Sequence, residues 1–342
     1  DLHSFPTRRS SDLVGGMGNF GFALASHLSR CQNPEVELWV YDRNPDVRAQ
    51  LQATQTHPRL FPTVSLATNL QVANSLQQLA ENCQIIVLAV VSTALEEVLG
   101  QLKAHLRPQV VLLSAMKALC VNTGQPLTDT MAQILGNFPY TPAVFAGGTT
   151  AAALVGEEYL GATIACGQQQ IGQKLQNIFA NPYLRVQLSS DVVGVQYASS
   201  LKNVISVLVG ILKGLGFAYG TQTHGLSLLA SECENLALSL GAQKQTFSFA
   251  SQCWGNDMVM SATSDTRNHH LGVLLGEGQR FSAAVAVMKE QGKTAESAHT
   301  LQVLPQIAPL QNYPLLAFLA ALAKEKVMAH QVIKIIEQTN QL

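Results

Sequence analysis

At 342 residues the chain exceeds what one hydrophobic core usually serves, so two domains are expected. Hydrophobic residues make up 47% and charged residues 13%, which excludes a disordered chain, and a formal net charge of −1 offers no cation excess for nucleic acid. The six cysteines lack C-x-x-C spacing and read as buried thiols of a reducing compartment, the cytoplasm.

In chain order, the opening DLHSFPTRRSSDL is polar, basic and interrupted by proline, with no strand pattern. Residues 1–13 therefore read as a non-native or disordered segment, and the expected strand before the glycines of DLVGGMGNFGFALA (12–25) reads as lost. EVELWVYD (35–42), QIIVLAVV (84–91), QVVLLSAM (109–116) and TPAVFAGG (141–148) are short apolar runs rich in β-branched residues. Helical-period stretches such as STALEEVLGQLKAHL (92–106) separate them, and that alternation implies parallel βαβ units. GATIAC (161–166) and LRVQLS (184–189) are two further strand candidates.

From about Asp191 the texture becomes helical, with apolar-periodic segments at 192–215, 225–241, 281–304 and 315–340. The apolar run VISVLVGIL (204–212), bracketed by Lys202 and Lys213, is too short to cross a bilayer, so stable membrane insertion is not expected. The reading is an α/β domain over 14–190, with a mostly parallel, doubly wound sheet of the Rossmann type, then an all-helical domain over 191–342.

Gly16-Met17-Gly18-Asn19-Phe20-Gly21 fits G-x-G-x-x-G. The first glycine permits a tight turn, the second lets a pyrophosphate approach the backbone, and the third allows helix and strand to pack closely. Asp42 ends the next strand, where a carboxylate accepts the ribose hydroxyls of NAD and repels a 2′-phosphate. Arg43 beside it is the opposing signal, because a cation there accommodates NADP.

SSLKNVISVLVGILKGLGF (199–217) and NDMVMSATSDTRNHHLGVLLGEG (256–278) resemble the L-K-N and G-D-L…T…R-N motifs of NAD-dependent glycerol-3-phosphate dehydrogenases. HPRLFPTVSLATNL (57–70), AVVSTALEEVL (89–99), SAMKALCVNTG (114–124) and DVVGVQYASSLKN (191–203) are similar to further segments of that family, in the same order. Residues 1–13 instead resemble translated sequencing-adapter read-through.

The resemblance implies reversible hydride transfer between NAD(H), or NADP(H), and dihydroxyacetone phosphate, for phospholipid synthesis. It also implies a helical domain of the 6-phosphogluconate-dehydrogenase-like type, and a homodimer. Lys202 is then the general acid/base, Lys117 orients the substrate oxygen, and Asp257 holds the Lys202 ammonium. Arg267 and Asn268 bind the substrate phosphate, with Asn203 and Thr263 as further polar contacts. Gly16, Gly18, Asn19, Phe20, Gly21, Tyr41 and Asp42 surround the cofactor, together with Arg267 and Glu290. His269-His270 lack partners at metal spacing, so no metal is expected.

Several family positions differ. GGTTAAALVGEE (147–158) stands for a Pro- and Phe-containing loop, and Ala218-Tyr219-Gly220 for G-D-N. Gln196 replaces a glutamate before the lysine helix, Ser227 an arginine, Ala118 a glycine and Val91 a proline. These changes keep two alternatives open: a paralogue reducing another small phosphorylated 2-oxo compound, or a dinucleotide-binding protein with weakened catalysis.

Overall fold

The computed structural model describes residues 10–31, 36–66 and 70–339. Its contacts divide the chain into two compact units. The first gathers Asp1–Met116, Thr130–Phe145 and Thr149–Ser190, and the second Lys117–Asp129, Ala146–Gly148 and Asp191–Leu342.

The first unit is built on strands β1 (Ser10–Gly15), β2 (Val36–Tyr41), β3 (Gln71–Val72), β4 (Ile85–Leu88), β5 (Val110–Ser114), β6 (Tyr140–Gly148), β7 (Leu160–Cys166) and β8 (Leu184–Ser189). They form one sheet in the order β3-β2-β1-β4-β5-β6-β7-β8. The β2–β1, β1–β4, β4–β5, β5–β6 and β7–β8 pairs are all parallel. Every residue of β4 and β5 is buried, as a strand covered by helices on both faces requires. This is the Rossmann-type sheet that the alternation of elements predicted.

The expectation that the strand before the glycines is lost is corrected. Ser10–Gly15 is a strand in register with β2 from Ser10↔Val36 to Gly15↔Tyr41, and with β4 on its other side. Two neighbouring strands supply the backbone partners, and that pairing overrides the weak strand propensity of Ser-Ser-Asp. Residues 1–9 lie outside the described residues.

The second unit is helical. Its longest helix, Val192–Gly214, carries Lys202 and is followed by Tyr219–Ser239. Val192–Gly214 is long and apolar enough to cross a membrane by length and composition, but 89% of its apolar window is buried inside the protein, as in a core helix.

Two of the apolar-periodic segments each hold two helices. Residues 281–304 resolve into Phe281–Glu290 and Ser297–Ile307, separated by Gly292 at φ 67°, a left-handed conformation that ends a helix. Residues 315–340 resolve into Pro314–Ala323 and Val332–Thr339. Lys117–Asp129 and Ala146–Gly148, read as parts of the sheet domain, group instead with the helical unit. Buried polar bonds account for this: Gln196 accepts from the Thr128 N–H at 3.1 Å and donates to the Thr128 hydroxyl at 2.9 Å.

Candidate functional site

The glycine loop lies between β1 and the helix Asn19–Arg30. Each glycine has a separate steric reason. Gly16 has φ +93°, and a Cβ there would lie 2.9 Å from the Ala89 carbonyl oxygen. A Cβ on Gly21 would sit 1.7 Å from the Gly16 carbonyl oxygen, so helix and turn touch backbone to backbone. A Cβ on Gly18 would meet nothing within 4 Å. That space opens at the N-cap of a helix with no side-chain cap and no acidic residue in its first turn. Unclaimed N–H groups, the positive end of the helix dipole and room for a bulky anion suit a pyrophosphate.

Asp42 is half-buried and ties this loop to the end of β2. Its Oδ2 accepts from the Met17 N–H at 3.1 Å and its Oδ1 from the Asn44 N–H at 2.8 Å. Each oxygen retains acceptor capacity for a ribose hydroxyl. Tyr41 lies under the Arg48 guanidinium, 5.5 Å from its ring centre. Asn19 and Arg43 are exposed, while Phe20 packs on Phe145 with ring centres 6.2 Å apart. The altered 147–158 loop forms a short helix, Ala151–Val155, capped by the Thr150 side chain. Arg30 clasps its end, donating to the carbonyls of Leu154 and Val155 and pairing with Glu157 at 2.9 Å.

In the helical unit, three charges meet in the interior. Asp257 is fully buried; its Oδ1 accepts from Lys202 Nζ at 2.8 Å and its Oδ2 from Lys117 Nζ at 3.0 Å. Lys117 also donates to the Gly147 carbonyl. Lys202 donates a second bond to Ser261 Oγ at 2.7 Å. One N–H of its ammonium is left without a partner among the described residues. Burial holds the Lys202 pKa below that of a free lysine, and the nearby Lys117 pushes the same way, while Asp257 and Glu296 oppose the shift.

The helix Val192–Gly214 delivers Lys202 along a single row. Lys202, Ser206, Gly210 and Gly214 recur every four residues, so they share one face. Asn268, Gly272 and Gly276 form a similar row on the helix Arg267–Gly276. The two rows meet with no side chain between them. A Cβ on Gly210 would lie 2.2 Å from the His269 carbonyl oxygen, and one on Gly272 would lie 2.1 Å from that of Val207. This backbone contact lets the Asn268 side chain donate to Asn203 Oδ1 at 2.9 Å, while Asn268 Oδ1 accepts from the Ser297 hydroxyl at 2.7 Å. The Ser206 hydroxyl donates to the Ser261 carbonyl at 2.7 Å, extending the polar seam.

The structure thus brings together Lys117, Lys202 and Asp257, and separately Asn203 and Asn268. Thr263 does not join them: it is exposed, and its hydroxyl donates to the Val259 carbonyl at 2.8 Å. Ser261 takes the place beside the lysine instead. The signal that could have found it is its spacing, since Asp257 and Ser261 are four apart on one helix face. Arg267 is exposed at the first position of its helix, whereas its neighbour Asn268 is buried. Glu290 is exposed in the last turn of Phe281–Glu290, and the glutamate whose field reaches Lys202, beside that of Asp257, is Glu296. Gln196, placed before the lysine helix from sequence, lies within it, and its amide both accepts and donates, which a carboxylate could not do.

A parallel sheet carrying a G-x-G-x-x-G turn after its first strand, with a helical unit built around a buried lysine–carboxylate cluster, defines a dinucleotide-dependent dehydrogenase class. Residues 13–172 match the N-terminal domain, and residues 191–334 the C-terminal domain, described as NAD-dependent glycerol-3-phosphate dehydrogenase. The chain belongs to the NAD-dependent glycerol-3-phosphate dehydrogenase family.

It is 34% identical over 300 residues to the glycerol-3-phosphate dehydrogenase [NAD(P)+] of Geobacter sulfurreducens, covering 85% of this chain and 88% of that one. The Haemophilus influenzae protein of the same name (strain KW20) is 34% identical over 274 residues, 80% of each chain. The crystal structure of glycerol-3-phosphate dehydrogenase from Coxiella burnetii has the same fold, with a TM-score of 0.84 at 21% identity over 96% of this chain and 98% of that one.

Proposed function

We propose that the protein interconverts dihydroxyacetone phosphate and glycerol 3-phosphate, with NAD(H) as hydride carrier and NADP(H) as the alternative. The observation that carries this reading is the buried Lys202–Asp257–Lys117 cluster, in a chain whose two halves both match this family. When bound, the nicotinamide supplies the hydride that reaches C2. The carbonyl π pair then becomes a lone pair on the C2 oxygen, and Lys202 gives that oxygen its proton. In the reverse direction the neutral amine takes the proton back.

Burial supports this role, because a lysine with a lowered pKa exchanges protons closer to neutrality. Asp257 and Ser261 fix two of the three N–H directions of Lys202. Lys117, on the opposite oxygen of Asp257, adds positive charge where an alkoxide develops. The exposed Arg267 guanidinium suits a phosphate dianion. Asn203 and Asn268 then hold the backbone beneath it rather than the phosphate itself, since their amides bond to each other. A cytoplasmic homodimer completes the reading from family resemblance.

The test follows NADH absorbance with dihydroxyacetone phosphate as substrate. Turnover with this ketone, above that with other small phosphorylated 2-oxo compounds, is expected. NADH binding without turnover on any of them would overturn the proposal.

A further inference from the structure

One amide beside the amine cluster has no role so far. Asn256 stands immediately before Asp257, where the helix Asp257–Thr263 begins, at φ −62° and ψ −52°. An asparagine at a helix start ordinarily accepts a hydrogen bond from the first turn, but this side chain makes no such cap. The cause is the preceding turn, Gln252–Asn256, which is of the π type: the Asn256 N–H bonds to the Ser251 carbonyl five residues back, at 3.1 Å. Asn256 therefore has helical angles, not the extended ones that aim a side chain at the N–H groups of a helix start.

The side chain rests instead on Gly148. A Cβ on Gly148 would lie 2.6 Å from Asn256 Nδ2, 2.9 Å from Cγ and 3.1 Å from Oδ1, so the amide covers this glycine. Gly148 has no left-handed φ that calls for glycine by itself, and its missing side chain makes room for the amide. Lys117 donates to the chain neighbours of both residues, to the Gly147 carbonyl and to Asp257 Oδ2 at 3.0 Å. Asn256 and Gly148 are thus each one residue away from an acceptor of Lys117, and all of these residues belong to the helical unit.

Part of the amide's bonding capacity is open. Asn256 Nδ2 donates to Gln252 Oε1 at 2.8 Å, which fixes the nitrogen on that side and the oxygen on the other. Oδ1 accepts no hydrogen bond among the described residues, and the side chain is half-buried. From this geometry we infer that Asn256 is a specificity-determining residue: its Oδ1 accepts a hydrogen bond from a primary hydroxyl on the carbon next to the ketone, beside Lys117. The inference rests on the reading that the cluster acts on dihydroxyacetone phosphate, and it names the group recognised there. A hydroxyl at that place satisfies the amide, whereas a methyl group leaves a partly desolvated acceptor unpaired. The G-D-L motif has glycine where this chain has Asn256, so the amide is this chain's own addition.

The experiment compares kcat/KM, with NADH as reductant, for dihydroxyacetone phosphate and for acetol phosphate, which has hydrogen in place of that hydroxyl. The wild type is expected to prefer the hydroxylated ketone. In Asn256→Ala that preference should shrink about tenfold, the scale of one lost hydrogen bond. Asn256→Gly, which restores the residue of the motif, should shrink it by the same factor. The ratio of two substrates on one preparation does not depend on how much of the protein is folded.

A full wild-type preference in both variants would overturn the inference, as would a wild type indifferent to the hydroxyl. So would a loss of turnover that is equal for the two ketones, since that marks a structural role alone. Wild-type protein that reduces neither ketone would instead overturn the functional reading beneath it.

Discussion

The two functional regions are made in opposite ways. The glycine loop works by what is missing: Gly16 and Gly21 have no room for a side chain, and Gly18 leaves a space that none fills. The amine cluster works by what is present and paid for, because two cations and a carboxylate are held out of water. Their neighbourhoods tolerate change accordingly. The 147–158 loop differs from the family pattern yet closes on Arg30 with ordinary backbone bonds. The bonds around Asp257 have no such slack, since the desolvation of its buried carboxylate is offset by the two amines.

The largest expected effect comes from the charged region. Lys202→Ala should lower the turnover of dihydroxyacetone phosphate about a thousandfold, the usual scale for loss of a general acid. NADH affinity should stay within about twofold, because Lys202 bonds to Asp257 and Ser261 within its own helical unit. Near-normal turnover in this variant would remove the assignment.

Next is Asp257→Asn, which leaves two amines facing a neutral amide. A stability loss of about 3–5 kcal/mol is expected from a buried partner left unpaired. Urea denaturation checks it, and a loss below about 1 kcal/mol would mean that water reaches the cluster.

The glycine loop sharpens the contrast at smaller scale. Gly21→Ala places a methyl group against the Gly16 carbonyl, so both the melting temperature and NADH affinity should fall. Gly18→Ala adds the same methyl to open space, so stability should stay within about 0.5 kcal/mol while NADH affinity drops. Equal destabilisation by the two substitutions would mean that Gly18 serves packing and not an anion.

Much of this was legible in one dimension. The β4, β5 and β7 strands announce themselves by continuous apolar runs, because a strand buried on both faces needs little else. Lys117, Lys202 and Asp257 were found by their motif order, and they do converge. β1 was not legible, since its strand character comes from the neighbours that pair with it.

The sequence by itself determined the order of elements, the glycine turn and which side chains could carry charge, because periodicity and residue chemistry are local properties. Only the tertiary structure decided that Ser261 and not Thr263 bonds to Lys202, and that Gly210 and Gly272 press two helices together. Such outcomes depend on which face of each helix meets a neighbour. Half a turn separates a buried hydroxyl from an exposed one, and no single helix contains the information that chooses between them.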